Sequence, residues 1–264
     1  MSTIVQYWLK TSTYNTAVGI YGALPFVMAP VLFFIDAPYG RFAGTLGANF
    51  SLPGKASWFI MEAVSPVFFL SSVILTRPTW TPFQLILTSA WLIHYVNRSI
   101  IYPLRATSMA PIHVLAVVSA IVFNGLNSYT NGMWVGRHSD SVYQFRFWFG
   151  IGLWAAGFVS NIYHDTLLFK LRKKSIDKNT SDKKKRYSIP YGGLYNYISC
   201  PNYFSESMEW MGYAIAAHSS LPAFIFVMAT VSNLFPRAIR THGWYKDTFK
   251  DYPKSRKAVI PFVY

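Results

Sequence analysis

The chain has 264 residues, of which 52% are hydrophobic and 18% aromatic but only 13% charged, about half the charged share of an ordinary soluble domain. So little charge excludes a domain wetted by water on every side, and the single cysteine, Cys200, excludes an intrachain disulfide or a cysteine-rich metal site. The net charge of +14 is concentrated: nine of the 24 Lys and Arg residues lie within 170–186 and seven more within 237–257, with no basic stripe elsewhere, so the expected partners are anionic lipid or an anionic cofactor and not nucleic acid.

A membrane-spanning helix needs about 20 mainly apolar residues. Seven stretches qualify, at about 17–35, 57–75, 82–101, 112–129, 145–169, 203–218 and 221–234. The first contains Pro25 and Pro30 and lacks a small-residue cleavage site, so it reads as a retained helix and not as a signal peptide. Between the fifth and sixth stretches, KLRKKSIDKNTSDKKKRY at 170–187 reads as a solvated connector. The last two stretches are divided only by Ser219-Ser220-Leu221-Pro222, which leaves six long crossings as an alternative. Two crossings between the basic segments put both on one side, the cytosolic side by the positive-inside rule. The expected fold is an all-α membrane protein, a single domain over 1–264, with about seven transmembrane helices enclosing a cavity for cofactor and substrate.

Ionisable groups inside apolar helices are costly and mark function by default. Glu62 sits in WFIMEAVSPVFFL, and His94, Tyr95 and Arg98 fall within about one turn of HYVNRS. Asn161 and Asp165 are four apart, as are Asn202 and Glu206, and Glu209 follows; each i,i+4 pair shares a helical face. Any one of them has a structural explanation: Glu62 can pair with an Arg of a neighbouring helix, and Asn161 and Asp165 can satisfy a helix end. A shared polar cavity accounts for them together. The chain carries no GxSxG, HExxH or Walker loop. FGIGLWAAG at 149–157 lies in an apolar helix without the strand-turn-helix setting of a dinucleotide fold. What remains is acid, amide, Tyr and Arg, suited to holding a polyanionic cofactor beside an apolar substrate and to polarising a carbonyl.

These residues lie in longer stretches that resemble the steroid 5α-reductase family. They are LPGKASWFIME (52–62), HYVNRSIIYP (94–103), SNIYHD (160–165), IPYGGLYNYISCPNYFSESMEWMGY (189–213) and the tail FKDYPKSRKAVIPFVY (249–264). The resemblance implies a multi-pass enzyme of the endoplasmic reticulum membrane, a monomer, that reduces the conjugated carbon–carbon double bond of a 3-oxo-4-ene steroid or steroid-like terpenoid with NADPH. Carried over by position, Glu62 and Tyr95 are its catalytic pair, set at the substrate carbonyl. Arg98, Asn161, Asp165, Arg172, Tyr187, Asn202, Glu206, Arg237, Tyr245 and Arg256 become NADPH contacts, most of them within 145–264, and Trp58 and Trp210 line the substrate pocket. No metal is implied. Mammalian members carry an arginine in the fourth apolar stretch, toward the far end of the steroid, whereas 112–129 here has none. Other lipid substrates (a polyprenal, an enoyl thioester, a fungal-type secondary metabolite), double-bond isomerisation on the same scaffold, and a non-catalytic sterol-binding protein are the alternatives.

Overall fold

The computed structural model describes residues 3–35, 50–177, 187–218 and 220–263. The lysine-rich run at 178–186 lies outside the described residues. Most of the described chain is helical, and each of the seven apolar stretches is wholly or mainly helix. After a short α1 (Thr3–Leu9) come α2 (Thr11–Phe34), α3 (Gly54–Leu75), α4 (Pro82–Val96), α5 (Tyr102–Arg105), α6 (Val114–Arg137), α7 (Phe145–Asp177), α8 (Pro201–Ala216) and α9 (Leu221–Thr248). Two short strands, β1 (Ser51–Leu52) and β2 (Ile112–His113), pair antiparallel and tie the start of α3 to the start of α6. Among the described residues, α2, α3 and α9 are each long and apolar enough to cross a membrane. Their outward faces carry bare apolar side chains, among them Phe26, Phe34, Val67 and Phe224, a surface suited to lipid.

Several helices outrun their apolar cores. α7 continues through the first basic residues of the expected connector, to Asp177, and α9 runs 14 residues beyond Leu234. Polar residues extend a helix readily once its hydrogen-bond ladder is established, because only nucleation is costly. The last two apolar stretches are separate helices: α8 ends at Ala216, and the Ser220 hydroxyl accepts the Ala223 N–H to open α9 at Leu221.

Close backbone contacts replace large side chains where helices meet. α7 packs along α8 through glycines: a Cβ at Gly150 would collide with the backbone at Ala216 and Gly212, and one at Gly157 with Ser205 and Glu209. The glycine-rich stretch at 149–157 is therefore a helix-packing seam, the small-residue device of membrane helices. α3 meets α6 in the same manner at Gly132 and Gly136. The main core joins α2, α3, α4, α6, α7, α8 and α9 around Trp91 and Trp210, whose ring centroids are 5.3 Å apart.

One local distortion bears on the site. Between α4 and α5 the chain makes a π-helical turn, Asn97–Ile101, in which the Tyr102 N–H bonds the Asn97 carbonyl. The cause is Pro103, which has no N–H to offer Ser99 and whose ring crowds the preceding turn. The Arg98 carbonyl is left without a helical donor, since Tyr102 is already used and Pro103 has none. The Trp58 indole N–H fills that gap at 3.0 Å.

Candidate functional site

Five of the expected cofactor residues converge on one hydrogen-bonded network. Arg98 leaves the π-turn with its guanidinium between Trp58 and Tyr102, 5.0 and 4.8 Å from their ring centroids. Its Nη1 lies 3.5 Å from Asp165 Oδ2 and its Nη2 3.4 Å from Glu206 Oε2. Asn202 Nδ2 donates to Asp165 Oδ1 at 3.1 Å, and Asn161 Nδ2 donates to Glu206 Oε2 at 3.3 Å and to the Asn202 carbonyl at 3.0 Å. Each i,i+4 pair does share a face, and the two faces meet across the glycine seam of α7 and α8.

Three members of this network, Arg98, Asp165 and Asn202, line a cavity of about 1020 Å³, counted with its open mouth, while Asn161 and Glu206 stand behind them. Trp58, Met109, Ala110 and Ile112 supply an apolar side, while Arg98, Asp165, Arg172, Asn202, Arg237 and Tyr245 supply a polar one. Arg237 Nη2 donates to the Tyr203 hydroxyl at 3.0 Å and its guanidinium sits over the Tyr203 ring. Tyr245 stacks on Tyr252 with centroids 5.3 Å apart, and Tyr187 meets Trp244 edge-on at 5.1 Å, outside the cavity lining.

The C-terminal tail closes this end of the molecule. Ile198 and Lys257 form a parallel bridge, and Ser199 N–H donates to the Lys257 carbonyl at 2.9 Å. Ser199 Oγ lies 2.6 Å from both His242 Nδ1 and the Tyr252 hydroxyl, which knots tail, loop and α9 together. The tail thereby buries Arg256 at 2% exposure, between the rings of Tyr191 and Tyr252. Its Nε and Nη1 have no hydrogen-bond partner among the described residues. Two unsatisfied donor groups on a buried guanidinium are costly, and a phosphate oxygen is their natural complement. Together with Arg98, Arg172 and Arg237 it makes a donor set that fits a diphosphate-bearing cofactor.

Glu62 and Tyr95 lie deeper. Glu62 is half-buried on α3, with Asn124, Arg98, Glu206 and His94 as polar neighbours, and Asn124 Nδ2 donates to the adjoining Met61 carbonyl at 2.7 Å. Tyr95 is buried on α4, with Glu62 and Arg98 among its charged neighbours. Trp58 lines the cavity. Trp210 is 1% exposed within the aromatic core, 4.5 Å from the His94 ring and 5.9 Å from that of Tyr95, so it backs the site and does not line the open cavity.

Three features escaped the reading of the residues alone. His94 and Glu209, visible as polar groups in apolar helices, form a buried pair at 2.6 Å. Ser199, His242 and Tyr252 form the tail knot, for which the sequence offered no spacing signal. His164, one residue before Asp165, accepts the Leu194 N–H on Nε2 and so donates from Nδ1 to the Ser160 carbonyl at 2.7 Å, anchoring the 193–196 turn to α7. Among the described residues no group of His, Cys, Asp and Glu is arranged to hold a metal ion.

An all-helical membrane protein with an acid, Tyr and Arg cavity at the basic end of its helices is the class these observations define. The chain belongs to the 3-oxo-5-alpha-steroid 4-dehydrogenase family, whose model matches residues 110–264, and this makes it an oxidoreductase acting on a carbon–carbon bond. Among its relatives are steroid 5-alpha-reductase DET2 of Arabidopsis thaliana, 39% identical over 252 residues covering 89% of this chain and 91% of the relative, and its counterpart in Solanum lycopersicum at 37%, covering 88% and 89%. The 3-oxo-5-alpha-steroid 4-dehydrogenase 1 of Rattus norvegicus is 35% identical over 254 residues, 93% of each chain.

Proposed function

We propose that this chain uses NADPH to reduce the conjugated double bond of a 3-oxo-4-ene steroid or a terpenoid of similar shape. In this role it works as a monomer, one domain of seven crossings in the endoplasmic reticulum membrane, with its basic end toward the cytosol. The observation that carries it is the two-sided cavity: apolar residues including Trp58, one turn from Glu62, line it together with guanidinium and amide groups, and Arg98 packs on Trp58 while reaching Asp165 and Glu206.

When bound, the nicotinamide would supply a hydride. Asn161, Asp165, Asn202 and Glu206 orient the ring and ribose end, and Arg98, Arg172, Arg237, Tyr187, Tyr245 and Arg256 hold the phosphates and adenosine. Trp58, with Trp210 behind it, shapes the substrate side. Hydride addition at the β-carbon moves the double-bond electrons toward the carbonyl, and negative charge develops on its oxygen. Tyr95, supported by Glu62, donates to that oxygen and stabilises the enolate. A proton from solvent then adds at the α-carbon, Tyr95 recovers any proton it has passed to the oxygen, and the ketone is restored. The buried setting keeps water away from both reactants, which strengthens the Tyr95 hydrogen bond.

α6 carries no cationic side chain along its buried length, since its one Arg, Arg137, lies at the helix end and donates to the Leu9 carbonyl at 2.6 Å. A substrate without a polar group at its far end, such as a polyprenal or another enone lipid, is therefore the second reading. Purified protein in detergent, given NADPH and a 3-oxo-4-ene steroid, is expected to consume the nicotinamide absorbance. NADPH binding without turnover would remove the steroid from the reading, and full activity in Glu62→Gln and Tyr95→Phe would remove the mechanism.

A further inference from the structure

Behind Tyr95 runs a buried polar chain that the proposed reaction leaves unused. Tyr21 on α2 and Asn127 and Asn131 on α6 are each 1% exposed or less. Asn131 Nδ2 lies 3.0 Å from the Asn127 main-chain carbonyl and 3.5 Å from that of Pro222. Carbonyl oxygens only accept, so this atom is a donor. The Asn127 amide atom 2.9 Å from it must then be the acceptor Oδ1, and the Tyr21 hydroxyl brings a second donor to the same oxygen at 2.8 Å. The orientation of the Asn127 amide is thus decided by its other neighbours, without appeal to Tyr95. Its remaining atom, Nδ2, faces the Tyr95 hydroxyl oxygen at 3.5 Å. A nitrogen in that place can only donate.

We propose that Asn127 is a positioning residue for the reaction, which holds the Tyr95 phenol oxygen as an acceptor so that its proton is offered to the substrate carbonyl. The inference rests on the reading of Tyr95 as the carbonyl donor. Ser65 and Ser128 close off the same buried region, their Oγ atoms 2.6 Å apart. As Tyr95 gives up its proton toward the enolate, negative charge grows on the phenol oxygen, and the long Asn127 hydrogen bond tightens where it lowers the barrier. In the resting protein the same contact is weak at 3.5 Å. Its effect therefore falls on turnover and not on binding.

The test compares wild type, Asn127→Leu, Tyr95→Phe and the double variant in detergent, with NADPH and a 3-oxo-4-ene steroid under single turnover. Asn127→Leu should lower the rate about tenfold, the effect of losing roughly one hydrogen bond to a charged group, with steroid KM and NADPH affinity within about twofold of wild type. The double variant should be no slower than Tyr95→Phe alone, because Asn127 acts only through that phenol. A wild-type rate in Asn127→Leu, or losses that simply add in the double variant, would overturn the proposal. Wild-type turnover in Tyr95→Phe would overturn the reading of Tyr95 as well. Asn127→Met, whose unbranched side chain adapts to the same space, carries the same expectations and replaces the leucine variant if that one fails to bind NADPH.

Discussion

His94 and Glu209, 115 residues apart, meet in the core with Nδ1 2.6 Å from Oε1 and with side-chain exposures of 6% and 0%. The second carboxylate oxygen, Oε2, has no partner among the described residues. Removing one member of this buried pair leaves the other's polar group unsatisfied, at a cost of about 1–3 kcal/mol. Glu209→Ala should therefore lower unfolding stability in detergent by about that much. Glu209→Gln keeps a hydrogen-bonding oxygen toward the ring and should lose no more than about 1.5 kcal/mol. Equal losses in the two variants would mean that packing, and not the hydrogen bond, holds this part of the core.

Arg98 spans two carboxylates and is sandwiched between two aromatic rings, an arrangement that a point charge on a flexible stem cannot reproduce. Arg98→Lys should weaken NADPH binding about tenfold, measured by tryptophan fluorescence quenching, because Asp165 and Glu206 lose their shared partner. Wild-type affinity in Arg98→Lys would show that the two carboxylates are held by Asn161 and Asn202 alone.

Arg256 gives a prediction with opposite signs in two assays. Its buried, unpartnered nitrogens burden the fold and complement a phosphate. Arg256→Leu should leave the cofactor-free protein equally or more stable to heat while lowering NADPH affinity at least about tenfold. A variant that is less stable with unchanged affinity would assign Arg256 to the packing of the tail.

The glycine seam can be tested by contrast. A side chain at Gly157 meets the backbone of α8, whereas one at Gly152 meets nothing within 4 Å. Gly157→Leu should fail to give folded protein in detergent, since overpacking against backbone has no flexible neighbour to yield. Gly152→Ala should be neutral or stabilising by up to about 1 kcal/mol, the helix-propensity difference. Folded, cofactor-binding Gly157→Leu would show that α7 and α8 can separate.

Tyr252 adds a dependence on alkaline pH. Burial, ahead of its Ser199 and Arg256 neighbours, pushes its phenol above the ordinary tyrosine value. The folded tail thus favours the neutral phenol, and this contribution is complete below about pH 10, the unfolded value. It is lost as pH rises through the higher folded value. Thermal stability should therefore fall above about pH 10 more steeply in wild type than in Tyr252→Phe, and parallel curves would free Tyr252 of this role.

Much of the molecule could be read before any coordinates, because hydrophobic length and i,i+4 spacing are local properties of the chain. They predicted the helices, placed Asn161 beside Asp165 and Asn202 beside Glu206, and singled out the basic residues of α7, α9 and the tail. Composition does not report how far an established helix continues: the Lys-to-Tyr stretch at 170–187 has the polarity of a connector throughout, yet its first part, to Asp177, is helix.

Tertiary structure alone decided which faces meet. Helical periodicity tells which residues share a side but not the rotation or partner of that side, so it could not show that Glu209 turns to His94 while Glu206, three residues earlier, turns to Arg98. Nor could it show that Trp210 backs the site from the core, or that glycines at 150 and 157 serve backbone contact. The burial of Arg256 depends on a bridge between residues 198 and 257, and the aim of the Asn127 amide depends on donors from α2 and α6. Each joins groups distant in the chain, and their geometry is set only when the helices pack.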